Sequence, residues 1–217
     1  MERSQYELKC QHTNEILFSG YFLSIKDAVE QAVIENVCLD GVNLEGANLT
    51  CANMDDAQLM GANFKNANLN GANLSESVFD YACFQGADLS HACLALASCM
   101  NSNMLEASFA ATDVTDAVIS GCDFSCPSVF STLFARATLF TKCQYHDKLC
   151  RKAYKMTKPP VVITGLPRDI VYLDHVIKIG HDFISKVDMV AAGYKHLEFL
   201  YGHDVASFIH PYSSCAE

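Results

Sequence analysis

Large apolar residues recur at every fifth position through the middle of the chain. Counting in fives gives Leu39, Leu44, Leu49, Met54, Leu59, Phe64, Leu69, Leu74, Phe79, Phe84, Leu89, Leu94, Cys99, Met104, Phe109, Val114, Ile119, Phe124, Val129, Phe134 and Leu139. Two residues before each of these 21 positions the side chain is usually small, and 13 are alanine. A step of five fits neither the period of a helix nor that of a flat strand. It predicts a chain that turns once per unit and points one large and one small side chain inward.

Glycine or asparagine often lies two residues after the large position, as at Gly41, Gly61 and Asn66. Both tolerate the positive φ that tight turns require. Four units close a square, so one coil takes about 20 residues, and coils stack about 4.8 Å apart. Residues 37 to 140 therefore predict a rod of about five coils, roughly 25 Å long. One column of its interior holds Leu44, Phe64, Phe84, Met104 and Phe124, which predicts an aromatic ladder in the core.

Three stretches carry a recognisable motif: Ala47-Asn48-Leu49, Ala67-Asn68-Leu69 and Ala87-Asp88-Leu89. They resemble the A(D/N)LXX pattern of the pentapeptide-repeat family, over about residues 37 to 140. The resemblance implies a mainly β fold, the right-handed quadrilateral β-helix. Some members of that family are known as DNA mimics that bind type II topoisomerases such as gyrase.

The first 36 residues have the pattern of a cap for the open end of a solenoid. Residues 5 to 23 alternate around Gln11-His12-Thr13-Asn14, which predicts a β-hairpin. Ser24 and Asp27 then fit a capping box that begins a helix. We therefore predict a hairpin-helix cap over residues 1 to 36.

The five-residue pattern stops after residue 140. Residues 141 to 160 carry six basic residues and one acidic residue and end at Pro159-Pro160, which predicts a basic linker. Residues 161 to 217 predict a small α+β domain, with strands at 161–164, 170–173 and 176–179 and a helix that ends at Gly202. This layout loosely resembles small phage and prophage pentapeptide proteins, which implies a phage-derived inhibitor of a host protein.

Signatures of catalysis are missing from the sequence. It has no phosphate-binding loop, dinucleotide fingerprint, zinc-protease motif or nucleophile elbow, so we predict no enzyme, catalytic residue or cofactor. Cys143, His146 and Cys150 lack the second ligand pair of a structural zinc site, and we predict no metal.

Composition indicates a cytoplasmic protein. The eleven cysteines are odd in number and irregularly spaced, which favours reduced thiols that fill space in the core. The chain has no long apolar run and no signal-peptide layout, so we expect no membrane contact.

Charge is concentrated on the repeats. Residues 37 to 140 hold eleven acidic and two basic residues, a net charge of −9. When each coil is built from four units, six of the acids gather at one edge: Asp40, Asp55, Asp56, Glu76, Asp80 and Asp116. This acidic face predicts binding to a basic, normally DNA-binding groove of another protein. The alternative is that the acids only keep the rod soluble. Direct nucleic-acid binding is disfavoured because a rod of this charge repels phosphate.

Several positions that point outward are apolar where a lone rod should be polar. They are Met60, Leu96, Met100, Leu105, Phe130 and Phe140. Grouped apolar surface usually marks a contact. It predicts docking of the C-terminal domain, a homodimer, or a partner surface. The alternative function is therefore a scaffold or oligomerisation module that binds through these residues and the C-terminal domain.

Overall fold

The computed structural model describes residues 2–125, 129, 132, 134–148, 151–163, 170–174, 176–179 and 182–185. The chain divides into two units, Met1–Pro159 and Pro160–Glu217, which are described separately below.

A hairpin and a helix precede the coils, as the sequence predicts. Strands β1 (Ser4–Lys9) and β2 (Ile16–Phe22) pair antiparallel, and helix α1 (Ile25–Ile34) follows. Ser24 caps the helix because its Oγ accepts a hydrogen bond from the Asp27 N–H at 3.1 Å. The hairpin is joined to the first coil, where the Asn43 N–H donates to the Lys9 carbonyl at 2.8 Å.

Regularly spaced parallel bridges join each coil to the next through the repeat region. They begin at Asn43↔Asn63 and continue as far as Ser98↔Val118. Backbone hydrogen bonds between coils accompany them, for example from the Leu44 N–H to the Asn63 carbonyl at 2.8 Å. One coil therefore takes four of the repeat units, and the predicted β-helix is confirmed.

A left-handed backbone conformation marks the corners of the solenoid from Gly41 to Gly121. Each fifth residue from Gly41 to Gly121 has φ between 52° and 71°. Many of these residues are not glycine; Tyr81 and Leu96 have φ of 61° and 62°. Because this conformation disfavours residues with a Cβ atom, the coil imposes it and the local sequence does not.

The large residues counted in fives from Leu39 to Phe134 are all buried. Within the predicted ladder, the rings of Phe64 and Phe84 stack with centroids 5.1 Å apart and planes 4° apart. Phe79, from another face of the coil, packs edge-on against Phe84 at 5.4 Å. Among the described residues, these rings and the other large buried side chains therefore fill the interior.

Small polar residues at the inner corners are hydrogen-bonded. The Ser102 hydroxyl donates to the Phe79 carbonyl at 2.7 Å, and the Thr112 hydroxyl donates to the Leu89 carbonyl at 2.8 Å. In both cases the acceptor lies 23 residues earlier, in the preceding coil. These buried hydroxyls therefore avoid the cost of an unsatisfied polar group.

The last coil contains one extra residue, and two sequence predictions are wrong there. Leu139, predicted inward, is 42% exposed, and Phe140, predicted outward, is only 6% exposed. Strand β4 (Val118–Ser120) pairs with β6 (Leu139–Thr141) so that Ile119 lies opposite Phe140, where the regular spacing would place Leu139.

Burial explains this slip. Continuing the regular register would point Lys142 and Gln144 into the core, and burying an unpaired charge is costly. With the slip, Cys143 and Tyr145 take the inward positions and are buried. Lys142 instead occupies a corner, with φ of 55°.

The segment predicted as a basic linker contains paired strands instead. Strand β7 (Cys143–Asp147) pairs with β8 (Lys152–Met156), and β7 also continues the stack of β3 (Asn103–Met104) and β5 (Asp123–Phe124). The β-helix therefore continues past residue 140 and ends in a hairpin. The slip is already present in the 3-10 turn at Phe134–Arg136, because the Asp116 N–H donates to the Arg136 carbonyl, one residue later than the regular spacing would place its acceptor.

The second unit contains one antiparallel sheet with strand order β12-β11-β10-β9. Its strands are β9 (Val161–Ile163), β10 (Ile170–Tyr172), β11 (Val176–Ile179) and β12 (Asp182–Ser185). The first three are the predicted strands, and the sequence analysis missed the fourth. The predicted helix ending at Gly202 lies outside the described residues.

Candidate functional site

One side of the solenoid combines acidic and apolar residues, and we call it the mixed face. Its middle is the ladder of outward-pointing residues Gln58, Val78, Ser98, Val118 and Leu139. One bordering edge, the methionine column, consists of Asp40, Met60, Asp80, Met100 and Ser120. The other edge, the carboxylate column, consists of the corner residues Asp56, Glu76, Leu96 and Asp116. The predicted acidic face and half of the predicted apolar surface therefore belong to the same side of the molecule.

Exposed carboxylates without a basic partner lie along the carboxylate column. Asp56, Glu76 and Asp116 are exposed, as is Asp55 beside Asp56. Within the described part of the chain none of these four forms an ion pair; Asp116 only accepts a hydrogen bond from the Thr138 hydroxyl at 3.4 Å. Their charge is therefore available to a partner.

Acidic residues on the other sides of the solenoid differ, because several contact a base. Glu106 pairs with Lys148 at 2.9 Å, and Glu45 lies 3.9 Å from Lys65. The Asp123 carboxylate lies 2.9 Å from His146 Nε2. Uncompensated negative charge is thus concentrated on the mixed face.

Two further acids stabilise turns of the outer surface. The Asp113 carboxylate accepts hydrogen bonds from the Thr115 hydroxyl at 2.6 Å and the Thr115 N–H at 3.0 Å, which lower the pKa of Asp113. The Asp88 carboxylate accepts from the Ser90 N–H at 3.0 Å in the same way. The Asn73 side chain makes the equivalent contact with Ser75. The Asn or Asp of the repeat motif is therefore a structural residue.

Asp40 and Asp80 in the methionine column have a structural role that the sequence did not reveal. Asp40 Oδ1 accepts a hydrogen bond from the Met60 N–H at 2.8 Å, and Asp80 Oδ1 accepts from the Met100 N–H at 2.9 Å. Ser98 Oγ also donates to Asp80 at 2.6 Å. Each carboxylate thus joins successive coils and also lies beside an exposed methionine.

Of the six predicted apolar contact residues, three lie on the mixed face. Met60, Leu96 and Met100 are 46%, 57% and 38% exposed. Leu105 is half-buried on a different side, Phe140 is buried, and Phe130 lies outside the described residues. Val78, Val118 and Leu139 were missed, although reading outward positions one coil apart from Gln58 would have found Val78 and Val118.

A groove extends the acidic edge toward the N-terminus. It lies between α1 and the first coils and is lined by Glu30, Val33, Ile34, Asn36, Asn53, Asp55 and Asp56. Glu30 Oε1 accepts a hydrogen bond from the Asn53 N–H at 2.8 Å, which joins the helix to the coil. Ile34 is 71% exposed. The groove therefore repeats the combination of carboxylates and apolar surface.

The described residues offer no metal site, and the thiol of Cys99 in the core is unreactive. No cluster of three or more potential ligands occurs among them, Cys143 is buried, and Cys150 lies outside them. Burial raises the pKa of the Cys99 thiol to about 12, which makes it inert. Also within the described chain, no helix has the length and apolar character needed to cross a membrane.

Comparison with protein families identifies the repeats. A sequence model described as Pentapeptide repeats matches residues 30–66 and 57–94, with 8 copies. No curated protein matches the chain.

Several solved structures match part of the chain. HetL, a pentapeptide repeat protein involved in heterocyst differentiation regulation from the cyanobacterium Nostoc sp. strain PCC 7120, is 32% identical over 37% of this chain and 37% of its own, with a TM-score of 0.36. QnrB1, a plasmid-mediated fluoroquinolone resistance protein, is 19% identical over 38% and 46%, with a TM-score of 0.26. Rfr23, a pentapeptide repeat protein from the cyanobacterium Cyanothece 51142, is 28% identical over 43% and 64%, with a TM-score of 0.23. The matches thus span less than two thirds of each of these proteins, and with such TM-scores they carry no argument about function.

Proposed function

The chain contains a pentapeptide-repeat β-helix, and we infer that this β-helix makes it a non-catalytic, cytoplasmic protein-binding module. Its mixed face occupies a basic groove of a partner protein that otherwise holds DNA. The observation that carries this proposal is the row of four exposed carboxylates without a basic partner, Asp55, Asp56, Glu76 and Asp116.

Charge density supports the proposal. The repeats carry −9 from residue 37 to residue 140, and five coils at about 4.8 Å span about 24 Å. This is about one net charge per 2.7 Å, against about one per 1.7 Å along duplex DNA. The solenoid therefore approaches the linear charge of DNA to within a factor of about two.

A type II topoisomerase is the first partner to test, because its DNA-binding groove is basic. The assay is supercoiling with and without the full-length protein, followed by competition against duplex DNA for enzyme binding. We expect inhibition, competition with DNA, and binding that weakens steeply as salt rises.

Two triple variants that remove the same number of charges distinguish binding by the mixed face from binding by overall charge. Asp56→Asn, Glu76→Asn and Asp116→Asn together remove three charges at corners where asparagine tolerates the positive φ. The control removes three charges from other sides through Glu45→Gln, Asp88→Asn and Asp113→Asn. Binding should be lost in the first variant and largely retained in the second. Equal losses would mean that only net charge matters and would refute a specific binding face.

The exposed apolar residues support a second candidate function, a scaffold. In that case the contact depends on Met60 and Met100 and changes little with salt. Met60→Ser with Met100→Ser would then abolish binding, whereas the carboxylate triple variant would retain it. Binding that persists in about 0.5 M salt, or that occurs alongside DNA, would favour the scaffold over DNA mimicry.

A further inference from the structure

The last coil brings two cysteines together in the core. Strands β5 and β7 pair in parallel with Asp123 opposite Gln144, so one step earlier Cys122 lies opposite Cys143. The Gln144 N–H donates a hydrogen bond to the Cys122 carbonyl at 2.9 Å, in agreement with this alignment. Both cysteines are buried. Their thiols therefore form a stacked pair in neighbouring coils.

The extra residue in the last coil creates this pair. In the regular register the residue opposite Cys122 would be Lys142. The slip moves Lys142 to a corner and places Cys143 inward. Earlier coils hold Ala62 and Ala82 at the equivalent inward position. Alanine fits there, so packing alone does not require two thiols.

The spacing of the two cysteines suits a disulfide. Neighbouring parallel strands lie about 4.8 Å apart, and disulfides join Cα atoms about 4.4–6.8 Å apart. Cys143 Sγ already points toward the coil before it, 3.8 Å from the Ile119 carbonyl oxygen. Cys122 Sγ lies 2.7 Å from the Cys99 carbonyl oxygen, one coil earlier still. Rotation about the Cα–Cβ bond of Cys122 would bring the two sulfurs together.

A hydrogen bond between the two thiols prepares one of them to react. It lowers the pKa of Cys143, whereas the same hydrogen bond and burial raise the pKa of Cys122. Because the thiolate is the nucleophile, Cys143 should attack an oxidant first. Strand β7 is the last of the parallel strands β3, β5 and β7, and terminal elements open locally at a lower free energy than the whole protein. A small oxidant can therefore reach the pair.

We propose that Cys122 and Cys143 form a redox modification site, at which hydrogen peroxide converts the thiol pair into a disulfide. The Cys143 thiolate attacks one peroxide oxygen, the O–O bond breaks, and the leaving hydroxide takes up the thiol proton, which gives water and a sulfenic acid at Cys143. The Cys122 sulfur then attacks the Cys143 sulfur, so that the S–S bond forms, the S–O bond breaks and a second water leaves. Two thiols and one peroxide thus give one disulfide and two waters.

The disulfide ties β7 to β5 and so closes the C-terminal end of the β-helix. Small thiols reverse it by thiol–disulfide exchange. The inference rests on the register of the last coil and does not depend on the proposed function.

Peroxide treatment of the reduced full chain tests the site. The experiment uses the double variant Cys38→Ala with Cys51→Ala, because these two exposed thiols would otherwise join separate molecules. Alkylation of the remaining thiols and peptide mass spectrometry should then show a cross-link between Cys122 and Cys143 that dithiothreitol removes. The melting temperature should rise by about 5 °C or more, because the disulfide constrains the unfolded chain.

Further alanine variants in the same background identify the reacting pair. Cys122→Ala and Cys143→Ala introduce the residue that earlier coils hold at this position, and each should lose both the cross-link and the rise in melting temperature. Cys126→Ala and Cys150→Ala remove the cysteines nearest to the pair in the sequence and should retain both. Matching melts of the reduced variants would show that all of them fold. Oxidation of other thiols that leaves Cys143 free, a cross-link from Cys143 to a different cysteine, or a cross-link that forms only above the melting temperature would each overturn the proposal.

Discussion

The ring of Phe140 lies nearly parallel to that of Phe124 in the coil before it, with planes 15° apart and centroids 6.4 Å apart. Phe140 also contacts Phe134, with centroids 5.0 Å apart. The extra residue in the last coil thus places a phenylalanine at the end of the aromatic core, where the regular register would place Leu139.

Replacing Phe140 tests the assigned register directly. Phe140→Ala removes a buried ring and should lower the free energy of unfolding by about 3–5 kcal/mol. Leu139→Ala truncates an exposed side chain and should cost less than about 1 kcal/mol. Urea denaturation of both variants measures the difference. The opposite order of costs would restore the regular register.

Deleting Thr138 should be tolerated. Without it the last coil returns to the regular length, Ala137 takes a small inward position, and Phe140, Cys143 and Tyr145 keep theirs. The variant loses the 3.4 Å hydrogen bond to Asp116. Because this hydrogen bond is exposed, its loss should lower the free energy of unfolding by about 1 kcal/mol or less.

Deleting Thr115 is the matched control for that deletion. It shifts every later residue by one position, so Ile119 and Cys122 leave the core unless the backbone distorts. A slip of one residue exchanges buried and exposed side chains, so we expect the C-terminal coils to unfold. Circular dichroism and thermal melts compare the two deletions, and equal damage would contradict the extra-residue interpretation.

Corner residues offer a test of backbone strain. Ala111 has φ of 55°, whereas Ala110 beside it has no positive φ, and both are exposed. Ala111→Gly relieves the strain and should raise the free energy of unfolding by about 0.5–1 kcal/mol. Ala110→Gly only adds freedom to the unfolded chain and should lower it by a similar amount. Thermal unfolding that shows the same sign for both would refute the assignment.

Asp113 should make the β-helix sensitive to acid. The hydrogen bonds from Thr115 lower the folded-state pKa of Asp113 below that of the unfolded chain. Its contribution is therefore complete above the unfolded pKa of about 3.9 and is lost as pH falls through the folded value.

Asparagine provides the control because it makes the same turn without titrating. Asp113→Asn should lose less stability than the parent between neutral and acidic pH, whereas Asn73→Asp should lose more. Thermal melts across that pH range measure both. Identical pH profiles for the parent and the two variants would show that these turns do not contribute to acid sensitivity.

Periodicity predicted most of the fold because every coil repeats one set of constraints. The buried residues from Leu39 to Phe134 and the left-handed corners follow from a single five-residue rule. The rule failed at Leu139 and Phe140, because keeping the same register through the following residues would bury Lys142. Checking the next inward positions for charge would have located the slip.

The candidate site was harder to predict. The position of an acidic residue in the repeat shows where its charge lies, but it does not show which groups its carboxylate hydrogen-bonds. The sequence placed Asp40 and Asp80 with the exposed acids, yet both accept hydrogen bonds from the next coil. It placed Met60 and Met100 in one column with Asp40 and Asp80, but it missed the ladder from Val78 to Leu139 that lies between this column and the exposed carboxylates.

The constant coil length between the cap and the slip sets how this molecule could change length during evolution. Duplicating or losing a block of twenty codons upstream of Val118 would add or remove one whole layer, because each new layer meets the same bonding pattern. Both terminal structures would be preserved. Blocks of five, ten or fifteen codons would rotate everything downstream, and blocks that are not multiples of five would expose the interior. Viable relatives should therefore differ in solenoid length by whole layers of about 4.8 Å. The number of codons in this region then determines the distance between the two ends of the solenoid.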